Sequence, residues 1–212
     1  MSTDTHLAFD GFGDLVEVAH MARRPIADLI KEIQDVYLMD NRPWVVGYSG
    51  GKDSTVILQL VYFALSNLSS EQRTKPVFVI SSDTLVETPL VVDLITSTLE
   101  TVNKCAIESE LPVSCHLVHP KTSETFWVNL LGKGYPAPTK QFRWCTERMK
   151  IDPVSDFILE KVADFGEVVV ILGSRSQESA SRAQVIKKHR IEGSLLSRHT
   201  TLPNAYIYSP IA

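Results

Sequence analysis

The chain reads as an α/β domain built on a mainly parallel five-stranded sheet flanked by helices. Three observations predict this. Short apolar runs alternate with longer stretches of helical periodicity. A glycine-rich turn joins the first such run to the helix behind it. Apolar residues make up 44% of 212, enough to bury one core without disulfides.

The elements follow in order. Met1 to Arg24 lacks firm periodicity and is expected to form an arm or partner contact, leaving 25–212 as the domain. Pro25 opens a helix in which Ile26, Leu29, Ile30, Ile33, Val36 and Tyr37 share a face, and Asn41, Arg42 and Pro43 end it. Val45, Val46 and Tyr48 form the end of the first strand. Asp53 and Ser54 open the next helix, whose Val56, Ile57, Leu60, Val61, Ala64 and Leu65 lie in one stripe. A polar turn from Ser69 to Lys75 leads to a second strand at Val77 to Ile80, and Thr88 or Pro89 starts the following helix. Further strands are expected at Val113 to Val118, Glu167 to Leu172 and Tyr206 to Ser209. Ser209-Pro-Ile-Ala212 follows the last of them directly, an ending that reads as an incomplete domain.

Composition narrows the classes. A net charge of −4 gives no global footprint for nucleic acid. Basic residues gather locally at Lys140, Arg143, Arg148 and Lys150, and at Lys187, Lys188 and Arg190, as phosphate contacts or as solvated faces. Three cysteines without a CxxC pair argue against a disulfide framework or a self-contained zinc site. Neither a signal peptide nor a long apolar span is present, so a soluble cytoplasmic protein with no membrane partner is expected.

The segment Trp44-Val-Val-Gly-Tyr-Ser-Gly-Gly-Lys-Asp-Ser-Thr55 carries the strongest chemical signal. Gly50 and Gly51 permit positive φ and let backbone N–H groups close around a polyphosphate. Lys52 adds a point charge, and the helix opening at Asp53 and Ser54 aims its positive end at the anion. A Walker A loop is excluded, because Gly47 is out of register and Asp53, rather than Ser or Thr, follows Lys52. The run Ser49-Gly-Gly-Lys-Asp-Ser54 instead resembles the PP-loop of ATP pyrophosphatases. That resemblance implies ATP held by its β and γ phosphates, attack at the α-phosphorus, and pyrophosphate and an adenylate as products.

Other polar residues follow strands directly. Asp83 and Thr84 after the second strand suit adenine, ribose or metal contact, or an ordinary Asx or capping turn. Gly173 allows close approach to a nucleotide, and Arg175 and Arg182 offer planar forks for phosphate oxygens, or pair on the surface with Glu178. The loop from Ser49 to Ser54, Asp83, Gly173 and Arg175 are expected to converge on one crevice beyond the carboxyl ends of the strands. Cys145 sits among Arg143, Arg148 and Lys150, the setting that lowers a thiol pKa, and is a candidate nucleophile, sulfur carrier, metal ligand or core residue. Cys105 and Cys115 fit buried apolar roles. The stretch from Thr125 to Pro138 is either a cover for a site or a rigid connection. His116, His119, His189 and His199 lack metal spacing and are read as structural or solvent-facing.

Taken together, Ser49 to Ser54, Ser82-Asp-Thr84, Arg143-Trp-Cys-Thr-Glu-Arg-Met-Lys150 and Gly173-Ser-Arg-Ser-Gln-Glu-Ser179 resemble the phosphoadenylylsulfate reductase-like branch of the adenine nucleotide α-hydrolase superfamily. Thr84-Leu-Val-Glu-Thr-Pro89, the stretch Thr125 to Pro138 and Phe142-Arg-Trp-Cys145 are similar to the DndC family of DNA sulfur modification proteins. This likeness implies ATP and Mg2+ as cofactors and catalytic roles for Lys52, Asp53, Cys145 and Arg175. It implies nucleotide contacts from Ser49, Gly50, Gly51 and Ser54, beside which Asp83, Thr84, Gly173 and Arg182 stand as candidate nucleotide contacts on the reading of the residues given above. DNA, a cysteine desulfurase as sulfur donor and other DNA sulfur modification proteins are the implied partners. A [4Fe-4S] cluster is implied for longer family members, with Cys145 as a ligand, and is not expected to be stable in this chain. An ATP sulfurylase-like adenylyltransferase, a reductase proper and a nucleotide-binding module without turnover share the loop and stand as rivals.

Overall fold

The computed structural model describes residues 20–21, 24–174, 191 and 193–211. A two-residue ribbon, β1 (His20–Met21) against β2 (Arg24–Pro25), leads into α1 (Ile26–Leu38). The main elements then alternate: β3 (Trp44–Gly47), α2 (Lys52–Ser66), β4 (Val77–Ser82), α3 (Pro89–Glu108) and β5 (Val113–Val118). A helical segment follows, α4 (Trp144–Thr146) running through a wide π turn (Glu147–Ile151) into α5 (Asp152–Phe165). The chain closes with β6 (Val168–Ile171), β7 (Ser197–Arg198) and β8 (Ala205–Tyr208).

The main sheet has six strands in the order β5-β4-β3-β6-β8-β7, parallel throughout except for β7. All five expected strands are present. The sixth, β7, pairs only Ser197 with Ile207 and Arg198 with Tyr206, too short and polar to leave a pattern in the sequence. From β3 the chain moves to β4 and β5 on one side and later returns to place β6 on the other. The boundary between β3 and β6 is therefore the topological switch point, where open α/β sheets bind ligands.

Strand residues are divided between two cores by the period of two. Trp44 and Val46 of β3, Val77 and Val79 of β4, and Val169 and Ile171 of β6 pack with Ile33, Ile57, Val61, Ile95 and Leu99 of α1, α2 and α3. Val45, Ile80, Val168 and Val170 point to the opposite face and meet Ile158, Val154 and Phe157 of α5. Helices thus cover both faces, as the near-continuous apolar strands require. The expected faces of the first two helices are the buried ones, with Leu29, Ile30, Ile33, Val36 and Tyr37 on α1 and Ile57, Leu60, Val61, Ala64 and Leu65 on α2.

One charge lies inside this framework. Lys75 is 2% exposed, with its Nζ 3.0 Å from the Asp40 carbonyl, 3.3 Å from Asp40 Oδ1 and 4.7 Å from the centre of the Tyr37 ring. Burial holds its pKa below the usual lysine value, and Asp40 opposes the shift. Burial would raise the Asp40 carboxyl, but hydrogen bonds from Arg42 and the nearby Lys75 charge outweigh it, and the net direction is downward. A carboxyl depressed on folding contributes stability above its unfolded pKa of 3.8, and that contribution is lost as pH falls through the folded value. Chemical denaturation of wild type should therefore show stability declining below about pH 5, with a shallower acid slope in Asp40→Asn. Equal slopes for the two proteins would remove Asp40 from the acid response.

Candidate active site

The turn after β3 presents backbone N–H groups at the uncapped start of α2. Gly50 has φ 72°, in the left-handed region, and lets the chain reverse between strand and helix. Gly51, expected to share that conformation, is extended at φ −82° and forms the N-cap of α2, so only one of the two glycines uses the left-handed freedom. The α2 start carries no side-chain cap, which leaves its first-turn N–H groups available to an external acceptor. The Ser54 hydroxyl donates to the Gly51 carbonyl at 2.9 Å and accepts from the Ser49 N–H at 3.2 Å, holding the loop shut around itself. Lys52 is exposed at the helix start.

Gly173 secures the same turn from the next strand. A Cβ there would lie 2.9 Å from both the Asp53 carbonyl carbon and oxygen and 3.1 Å from the Ser54 nitrogen. The end of β6 therefore rests against the first turn of α2, backbone on backbone, and only glycine fits.

These residues open onto a cleft of about 880 Å3. Its wall includes Ser49, Gly51, Lys52, Asp53 and Ser54 from the loop, Ser81 and Ser82 from β4, and Gly173 and Ser174 after β6. Lys150, Ile151, Val154 and Ser155 line the α5 side, and His199 and Thr201 the β8 side. The Ser81 hydroxyl is buried at this wall without a partner among the described residues. An unpaired buried hydroxyl costs about 1–3 kcal/mol, which a bound polar group would relieve.

The structure brings only part of the expected constellation together. Asp83 does not line the cleft. Its Oδ1 accepts from the Leu85 N–H at 2.8 Å, closing an Asx turn with Leu85 at φ 62°, and its Oδ2 faces His119 Nε2 at 3.7 Å. Thr84 is buried and donates to Glu87 at 3.3 Å, away from the cleft wall. Glu87 in turn pairs with Lys150 at 2.8 Å, and that contact holds its carboxyl below the usual glutamate value. Of the Ser-Asp-Thr sequence, Ser82 thus lines the cleft directly, and Thr84 reaches it only through Glu87, which holds the cleft lysine. Arg175 and Arg182 lie outside the described residues.

Cys145 is half-buried on α4 and is absent from the cleft wall. Two of the three cations expected around it are committed elsewhere, Arg148 to Glu124 and Tyr135, and Lys150 to Glu87. Cys105 and Cys115 are also only half-buried, although Cys115 packs against the main core, where burial pushes its thiol up to about 12. The three thiols occupy separate elements. Among the described residues no group of three or more His, Cys, Asp or Glu converges as a metal ion requires, so this donor set does not fit a four-thiolate cluster. No helix among the described residues is long and apolar enough to cross a membrane.

Two cleft residues escaped the sequence reading. Lys150 was visible only as part of a basic cluster. His199, read as structural or solvent-facing, lines the cleft, with Nδ1 accepting from the Thr201 and Leu202 N–H groups at 3.3 and 3.1 Å. That bonding leaves the proton of the neutral ring on Nε2. Burial lowers the His199 pKa and favours that neutral form. Nothing in its sequence spacing signals the role.

Comparison with known proteins finds one matching family model and several similar chains. The model of the phosphoadenosine phosphosulfate reductase domain matches residues 43–191. An uncharacterized protein of Methanocaldococcus jannaschii is 31% identical over 158 residues, covering 74% of this chain and 28% of its own. The chain therefore spans little more than a quarter of that relative's length. Among solved structures, phosphoadenylyl-sulfate reductase from Candida auris is similar at 16% identity and TM-score 0.47, over 91% of this chain and 81% of that one. The U34-tRNA thiolase NcsA from Methanococcus maripaludis, with its [4Fe-4S] cluster, is similar at 14% identity and TM-score 0.48, over 88% and 58%.

Proposed function

The chain belongs to the phosphoadenosine phosphosulfate reductase domain family, and on that footing we propose that it is an ATP pyrophosphatase that adenylates a DNA backbone phosphate for sulfur incorporation. The observation that carries the reading is the loop from Ser49 to Ser54, which sits at the switch point of the sheet with an uncapped helix start and Lys52 beside it.

In this reading Mg-ATP is the substrate. Its β and γ phosphates lie on the loop N–H groups and Lys52. The α-phosphorus then faces the cleft between the loop and Lys150, where water is partly excluded by Ile151, Val154 and Ile158. A non-bridging oxygen of the DNA phosphate attacks the α-phosphorus, the α–β bond breaks, and pyrophosphate leaves with its charge held by Lys52 and the helix start. The DNA phosphate now carries AMP as a leaving group. The terminal sulfur of a persulfide, supplied by a cysteine desulfurase, displaces AMP and forms a P–S–S–Cys linkage. A thiol attacks the cysteine-side sulfur, becomes part of a disulfide and releases the phosphorothioate. Cys145 is the candidate carrier within this chain, and other DNA sulfur modification proteins are the proposed partners.

The test is product analysis from Mg-ATP with and without DNA. Pyrophosphate and AMP are expected, with release stimulated by DNA and, once persulfide is supplied, a phosphorothioate linkage detected by mass spectrometry after nuclease digestion. ADP and phosphate as products would overturn α,β-cleavage. Pyrophosphate exchange that depends on sulfate and ignores DNA would replace this reading with a sulfate adenylyltransferase.

A further inference from the structure

The stretch from Thr125 to Thr146 holds Lys133, Lys140 and Arg143 and no Asp or Glu, within a chain whose net charge is −4. It also displays large apolar groups in water, with Trp127 59%, Leu131 75% and Phe142 45% exposed. Isolated exposed apolar residues need no explanation, but these three share one acid-free unit with two free cations.

The unit is stiff. Trp127 meets Phe126 edge-on at 5.2 Å, Phe126 stacks on Trp144 at 5.5 Å, and Tyr135 lies 5.8 Å from Trp144. Trp144 Nε1 donates to the Pro136 carbonyl at 3.0 Å, and the Tyr135 N–H to the Asn129 carbonyl at 3.0 Å. Phe142 is presented by a closed turn in which the Thr139 N–H donates to the Phe142 carbonyl and the Phe142 N–H to Thr139 Oγ1, both at 3.1 Å. Lys133 and Arg148 both pair with Glu124, whereas Lys140 and Arg143 have no ion-pair partner among the described residues. The Trp127 ring is braced by Phe126, and Phe142 stands on a closed backbone turn next in sequence to Arg143, so the unit offers stacking surfaces for bases and point charges for phosphates with part of the ordering already done.

We propose that Trp127, Phe142, Lys140 and Arg143 form a platform for single-stranded nucleic acid, delivering a strand to the cleft. Arg143 leads directly into α4 and the π turn, and Lys150 on that turn lines the cleft. A helical rise of about 1.5 Å per residue puts the Arg143 backbone roughly 10 Å along the axis from the cleft lysine. A single strand fits better than a duplex, because a stacking aromatic requires an unstacked base. The platform deepens the DNA reading above, yet its binding is measured without ATP and does not depend on turnover.

Fluorescence anisotropy with a labelled oligodeoxynucleotide of about 12 nucleotides tests it. Trp127→Ala and Phe142→Ala are each expected to weaken binding about 10-fold, and Trp127→Phe to retain most of it. Lys140→Ala with Arg143→Ala should flatten the dependence of log Kd on log salt by about 1.4. Phe142, Lys140 and Arg143 are exposed, so their substitution should leave the melting temperature at the wild-type value, and Trp127→Phe, which keeps a ring against Phe126, is the folding control for Trp127→Ala. Single-strand affinity untouched by both aromatic substitutions would overturn the platform. So would equal affinity for the matching duplex, or self-association that Trp127→Ala abolishes. Failure of the wild-type chain to release pyrophosphate and AMP, with binding still dependent on Trp127 and Phe142, would sink the adenylation reading and leave the platform standing.

Discussion

Lys52→Ala is expected to reduce pyrophosphate and AMP release by about 100- to 1000-fold, the range seen when one preorganised transition-state donor is removed. The reasoning follows the charge. Breaking the α–β bond moves negative charge onto pyrophosphate, and Lys52 is the cation that leads the helix start lining the cleft. The first-turn N–H groups would remain, and with them a helix-terminus contribution of about 0.3–1 kcal/mol. Ground-state binding should therefore persist in weakened form while turnover collapses. Because Lys52 is exposed, its removal should shift stability by no more than about 0.5 kcal/mol. Steady-state kinetics with a thermal melt separates the two effects. Wild-type turnover in Lys52→Ala would count decisively against this loop as the phosphate site.

Gly173→Ala should damage both the fold and the site through one added methyl group. Its Cβ would meet the Asp53 carbonyl and the Ser54 nitrogen at 2.9 to 3.1 Å, and both are backbone, so no side-chain rotation can relieve the overlap. Restoring ordinary contact pushes the first turn of α2 away by about 0.5 Å, the tolerance within which a preorganised site still works. Overpacking of this kind costs about 1–3 kcal/mol, which for a chain of this size lowers Tm by roughly 3 to 10 °C. Nucleotide turnover should fall about 10- to 100-fold. Gly132→Ala is the matched control, since its Cβ would meet only Val128 Cγ1 at 3.8 Å. If both variants melt and turn over like wild type, the contact between β6 and the loop is not a constraint.

Much of the fold was legible because its signals are local. The runs at Val77 and Val168 are short, apolar and β-branched, and the face of α1 repeats at helical spacing, so each identifies itself within a few residues. The loop from Ser49 to Ser54 was legible for the same reason: strand, turn and helix start are contiguous. What escaped is set by distance along the chain. Ser197 and Arg198 become a strand only because Tyr206 and Ile207 lie beside them. Lys150 enters the cleft because Glu87 holds it, and His199 because Thr201 and Leu202 fix its ring. Asp83 illustrates the converse. Its residue type fitted both a ligand and a turn, and the bond to Leu85 commits one of its oxygens to the turn.

The strand order also carries a consequence for how the protein is made. β3 finds β4 as its next strand in sequence, but its other edge pairs Trp44 with Val169, and the chain between them includes β4, α3, β5 and α5. During synthesis the half-sheet β3-β4-β5 can assemble while β6 is still inside the ribosome. Until then Trp44, Val45 and Val46 present an open, apolar edge, the kind that recruits strands from other chains. The central strand is thus among the first to form, yet it gains its second neighbour only when Val168–Ile171 arrives, and β6 in turn waits for β8 to cover its own outer edge.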